Sequence, residues 1–109
     1  MPWFKIHDGF DSDPKILAAG NSAMGLWTRC GAWSMKQLTD GHVPHDIARI
    51  YGKKRDIQRL VEVGLWVECD GGYRFHKWEK YQPSKQKVED DRAAAAERQR
   101  RSREARQHA

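Results

Sequence analysis

Cysteine is scarce: Cys30 and Cys69 are the only two, and they lie far apart. That excludes a disulfide framework and a paired-cysteine metal knuckle. Cys30 falls in an apolar helical stretch and reads as a small buried hydrophobe. Long apolar runs are missing too, and none approaches the ~20 residues that a bilayer-crossing helix needs. A membrane is therefore not among the expected partners. Met1-Pro2-Trp3 has neither the basic nor the apolar region of a secretory signal. The expectation is a soluble protein of the cytoplasm with reduced thiols.

Catalytic signatures are lacking as well. There are no paired carboxylates in a cleft arrangement, no nucleophile–base motif and no phosphate-cradling glycine loop. No catalytic residue, cofactor or metal is expected. His7, Asp8, Asp11 and Asp13 are accounted for by turn and capping chemistry, without the glycine-centred spacing of a calcium loop. His42 and His45 have no cysteine at zinc-ligand spacing.

What is present is positive charge, unevenly spread. Over 109 residues the formal charge is +5. Residues 1–84 hold 12 Lys/Arg against 10 Asp/Glu, whereas residues 85–109 hold 8 against 5. The last quarter of the chain thus carries more than half of the excess, which favours a polyanion as partner. The length suits one small domain and a tail. We place the domain at 1–83 and a basic, Arg/Ala-rich helical or disordered tail at 84–109.

The chain opens with Trp3-Phe4-Lys5-Ile6, a short strand or extended arm whose aromatics need a core. Asp8-Gly9 marks a turn, and Asp13 before Pro14 suits the cap and first residue of a helix. That helix is expected over 14–19, ending at Gly20. Asn21 or Ser22 then caps a longer one through AMGLWTRCGAWSMKQL, with Leu26, Trp27, Cys30, Trp33 and Leu38 at helical spacing. Its small residues Gly25, Gly31, Ala32 and Ser34 suggest that another element packs closely. Thr39-Asp40-Gly41 is a turn, and His42-Val43 a short strand.

The stretch 43–76 organises the rest. A helix is expected to open at Pro44, with Ile47, Ile50 and Tyr51 as its apolar stripe and Gly52 as its breaker. A second helix follows over 53–63, with Gly64 at a left-handed C-cap. At about 100° per residue, Arg55, Gln58, Arg59 and Glu62 fall opposite Ile57, Leu60, Val61 and Gly64. Arginine can fork onto guanine and glutamine can pair with adenine, so this face has the chemistry to read base edges. Two alternating runs, LWVE and YRFH, then flank Cys69-Asp70-Gly71-Gly72, a hairpin turn signal. Alternation turns Leu65, Val67, Tyr73 and Phe75 to the core, and Trp66, Glu68, Arg74 and His76 away from it. Arg74 is a candidate DNA-backbone or minor-groove contact, or else a cross-strand partner of Glu68. Trp78 and Tyr81 are expected to fold back toward Trp3 and Phe4, and the five tryptophans to serve the core.

Ser84 caps the last segment. Val88 is its one large apolar side chain, so there is no coiled-coil seam. Arg98, Arg100, Arg101, Arg103 and Arg106 can lie along phosphates, adding salt-dependent affinity without sequence information. A merely solubilising tail is the alternative.

The fold class expected is α+β, mainly helical with a small β-hairpin: a winged helix-turn-helix. In it Lys53 and Lys54 hold phosphates, and Arg55, Gln58 and Arg59 contact bases. Arg74 and the Gly71-Gly72 wing tip touch the flanking backbone of double-stranded DNA. The second reading is a winged-helix interaction module that docks on a host replication or transcription protein.

The segments WFK, DGF, AAGN, GLW and LTDG, a second GLW, HKWEKYQPS and the Arg/Ala-rich tail together carry a resemblance. Up to Ser84 the chain resembles a family of small winged-helix proteins of actinobacterial phages and prophages. They are usually described as helix-turn-helix DNA-binding or replication-initiation proteins. The resemblance implies a DNA-binding domain, origin recognition as one role, and the bacterial host cytoplasm as location. Members that look like replisome organisers often continue past the Arg-rich segment. This chain stops at Ala109, which leaves a stand-alone DNA-binding or transcription-regulating role open.

Overall fold

A computed structural model describes residues 2–107. Met1, His108 and Ala109, which the expected domain and tail ranges include, lie outside the described residues. The chain is mainly helical with one small antiparallel sheet. In order come α1 (Pro14–Gln37), β1 (His42–Pro44), α2 (His45–Tyr51), α3 (Lys54–Glu62), β2 (Trp66–Cys69), β3 (Gly72–Phe75), α4 (Trp78–Tyr81) and α5 (Lys85–Gln107). The three strands lie in the order β1-β3-β2. Among the described residues no helix is long and apolar enough to cross a membrane.

Local chemistry sets most of the boundaries. Asp13 caps α1, its Oδ1 accepting from the Lys15 N–H at 2.8 Å, and Pro14 follows as first helical residue. At Gly20 the backbone leaves helical geometry (φ 82°, ψ 165°), so α1 is two helical pieces joined at a kink. Its C-terminal end is held by a small polar knot. The buried Ser34 hydroxyl lies 2.6 Å from the Thr39 hydroxyl and accepts from the Gly41 N–H at 2.8 Å, while Thr39 Oγ1 donates to the His42 carbonyl at 2.7 Å. Those bonds satisfy the buried Ser34 hydroxyl and the N–H of the buried Gly41 just before β1.

The core joins all the helices and the sheet, with Phe4 packed against it from the N-terminal arm and Val88 from the start of α5. Ala23, Leu26 and Cys30 of α1, Ala48 of α2, and Ile57 and Leu60 of α3 are buried together with Trp66, Phe75, Trp78 and Val88. Phe4 is the wedge of the aromatic part. Its ring stacks on Trp78 at 5.9 Å, meets the Trp27 ring edge-on at 5.0 Å, and sits where a Cβ on Gly31 would be. One small residue of α1 therefore does admit a close neighbour, as its composition suggests. Gly25 and Ala32, by contrast, face outward.

Several expected orientations are corrected. Pro44 closes β1 and caps α2; the helix starts one residue later. Ile50 is 68 % exposed, and the α2 face that packs inward is Ile47, Ala48 and Tyr51. In the hairpin Trp66 is buried and Val67 is half exposed, the reverse of the expected alternation. The cause is register. Leu65 belongs to the turn after α3, and Trp66 is the first strand residue, opposite Phe75 on the same face. A shift of one residue moves every side chain to the other face. Trp3 is 82 % exposed, and Phe4 takes the place against Trp78 that was expected to be shared with it.

The tail forms α5. Its first turn is tied to the body: Ser84 Oγ accepts from the Lys87 N–H at 3.1 Å, the Lys85 N–H donates to Asp40 Oδ1 at 2.6 Å, and Val88 is buried in the core. The core thus extends past residue 84.

Candidate nucleic-acid interface

α3 is held at both ends by its own sequence. At the start, Asp56 Oδ2 accepts from the Lys53 N–H at 3.2 Å, and the side chain is buried in doing so. At the end, the Leu65 N–H bonds the Leu60 carbonyl and the Gly64 N–H bonds the Val61 carbonyl, with Gly64 at φ +82°. That is a Schellman closure, which glycine permits because it has no Cβ to clash. Ile57 and Leu60 press inward, chiefly against α1.

The opposite side is open. Lys53, Lys54, Arg55, Gln58, Arg59 and Glu62 are all exposed. Among the described residues none of these lysines or arginines forms a salt bridge. Four cations, a glutamine and one carboxylate are therefore the exposed polar groups of one short helix and its cap, with donors free to meet an acceptor surface.

The hairpin is compact. Asp70 and Gly71 form its two-residue loop, and only Gly71 takes positive φ (+81°). The tip is fastened to the neighbouring elements. The Gly71 carbonyl accepts from the His45 N–H at 3.1 Å, and the Asp70 carbonyl lies 3.2 Å from His42 Nε2. Gly72 is buried, and a Cβ there would meet the backbone of Val43, Pro44 and His45. The exposed residue types at this end are Glu68, Asp70 and Gly71. Arg74 is exposed on the sheet face opposite that of Trp66 and Phe75. Its cross-strand neighbours are His42 and Val67; Glu68 lies opposite Tyr73, so no Glu68–Arg74 cross-strand pair forms. The structure therefore gathers the α3 set on one helix and places Arg74 on the sheet face turned away from the buried Trp66 and Phe75.

The arginines of α5 divide into two groups. Arg100 is paired with Glu97 at 2.6 Å and Glu104 at 3.7 Å, and Arg101 with Glu97 at 3.2 Å. These are exposed pairs within the helix, each of small stabilising effect. Arg98, Arg103 and Arg106 make no salt bridge among the described residues. At about 100° per residue, Arg92, Gln99, Arg103 and Arg106 follow Val88 along one side of α5, while Glu97 and Glu104 fall on the other. Arg92 is absent from the sequence-derived set. The signal that finds it is the projection of the tail from its one buried residue, Val88.

In comparisons with protein-family models, curated proteins and solved structures, nothing matches this chain.

Proposed function

We propose that this chain is a non-enzymatic winged-helix protein that binds duplex DNA through α3, in replication initiation or transcription regulation. One observation carries the reading: the outward face of α3 presents Lys54, Arg55, Gln58 and Arg59, exposed and, among the described residues, outside every salt bridge, on a helix whose other face is locked into the core. An exposed helix with a rigid base is what a major groove accommodates. Element order supports it. A helix, a short strand, two helices and a hairpin, with the first strand paired to the last, is the succession of a winged helix-turn-helix. Lys53 and Lys54 at the start of α3 are suited to phosphates, and Arg55, Gln58 and Arg59 to base edges. Arg98 and Arg103 add further exposed cations on α5; Arg100 and Arg101 would have to exchange their carboxylate partners for phosphates.

The test is selection of bound duplexes from a random library with the whole chain at physiological salt. Enrichment of a motif several base pairs long, abolished in an Arg55→Ala/Arg59→Ala variant, supports the reading. Retention of DNA without enrichment assigns binding to α5. No retention leaves protein docking on a replication or transcription partner. The exposed Ile50 on α2 favours that second reading, and its complex would persist in salt that dissolves phosphate contacts.

A further inference from the structure

A second feature lies away from α3, and no residue of α3 lines it. It is a cavity of about 190 Å³ between the N-terminal arm, the start of α1 and α4. A dry cavity of roughly 150 Å³ holds benzene, so the space suits one aromatic ring with a small substituent. The wall is aromatic: Phe4, Phe10, Trp27, Phe75 and Trp78 contribute rings. Among the described residues the buried indole N–H of Trp78 has no acceptor.

The polar lining has the opposite character. Lys5, Lys15 and Lys77 belong to it and are exposed. Among the described residues none of them is in a salt bridge. Asp13 is the one carboxylate of the lining, and its Oδ1 is already occupied by the Lys15 N–H. Lys77 is held at φ 56°, a left-handed conformation at the entry to α4. Glycine or asparagine would relieve that strain. Backbone strain of this kind gathers at ligand-holding positions. Rings on the wall and unpaired lysines around it are complementary to a ligand that is flat at one end and negative at the other.

We infer that this cavity binds a small single-ring aromatic anion, its ring against Phe4, Trp27 and Trp78 and its charge among Lys5, Lys15 and Lys77. The inference is independent of DNA binding. The experiment titrates the full chain with benzoate, benzamide and acetate at constant ionic strength, followed by tryptophan fluorescence and by heat. Benzoate is expected to saturate one site. Benzamide, which lacks the charge, and acetate, which lacks the ring, should each bind at least ten-fold more weakly. Lys77→Gly should keep or raise the melting temperature and weaken benzoate at least five-fold, which separates loss of the charge from loss of the fold. Absence of saturable benzoate binding would overturn the proposal. So would benzamide or acetate binding as tightly as benzoate, or an unchanged benzoate affinity in both Lys77→Gly and Lys15→Gln.

Discussion

Gln82 grips the backbone of Lys5 as a neighbouring strand would. The Lys5 N–H donates to Gln82 Oε1 at 2.9 Å, and Gln82 Nε2 donates back to the Lys5 carbonyl at 2.7 Å. The side chain that does this is only 7 % exposed. One residue thereby fixes the N-terminal arm, and with it Phe4, against the rest of the core. Gln82→Ala removes both bonds and leaves two backbone groups unpaired, at an expected cost of about 1–3 kcal/mol. Gln82→Glu keeps an acceptor for the Lys5 N–H but puts a second oxygen against the Lys5 carbonyl, so it should not restore stability. Urea unfolding of both variants, with proteolysis of the arm as a second readout, checks this.

Gly25 and Gly31 sit in the same helix and should respond to alanine with opposite sign. At Gly25 a Cβ meets nothing, so Gly25→Ala is expected to stabilise by roughly 0.5–1 kcal/mol. At Gly31 it would collide with the ring of Phe4, so Gly31→Ala is expected to destabilise by about 1–3 kcal/mol through overpacking. Paired denaturation curves measure both.

For DNA, Arg59→Ala should weaken binding to a selected duplex by about 1–3 kcal/mol if the side chain makes a bidentate base contact. Arg74→Ala, on the other face of the sheet, should change affinity much less. A titration in which Arg59→Ala binds like the parent would remove Arg59 from the reading set.

Removing the basic half of α5 should flatten the salt dependence of DNA binding while sequence preference persists, since phosphate contacts carry little sequence information. The cut belongs after Arg92. A cut at Ser84 would strip Val88 from the core and confound binding with unfolding. Each arginine lost from a phosphate contact lowers the slope of log affinity against log salt by about 0.9. Loss of preference together with the tail would reassign specificity to α5.

Burial pushes the Cys30 thiol up from its ordinary 9.0 to about 12. Up to the lower value the thiol is protonated in both folded and unfolded chains, and this contribution to stability is intact. As pH rises from 9 towards 12 the unfolded chain gives up its proton while the folded chain holds it, so stability falls across that window. The fall should be shallower in Cys30→Ala, compared by urea unfolding at matched pH. In the native protein a thiol reagent at neutral pH should modify Cys69, which is partly exposed, well before Cys30.

Much of the backbone was legible before folding, because the signals involved are local. Asp13-Pro14 opens a helix, and Gly20, Gly52 and Gly64 interrupt or end one. Asp70-Gly71 turns a hairpin, since each of these acts through its own φ/ψ or through hydrogen bonds a few residues away. The amphipathic division of α3 was legible for the same reason: a helical period is a property of adjacent turns. Face and partner were not. Trp66 rather than Val67 is buried because the strand register with Phe75 decides parity. Ile50 and Trp3 are exposed although apolar, because their stretches meet the core through Ala48 and Phe4 instead. Asp40 holding the start of α5, Gln82 holding Lys5, and His42 standing opposite Arg74 all join residues distant in sequence. Such contacts depend on which surfaces the packed helices bring together. Sequence by itself therefore determined the elements and the charged face of α3, because both follow from neighbouring turns, and tertiary packing decided which face of the sheet is buried and which distant segments are tied together.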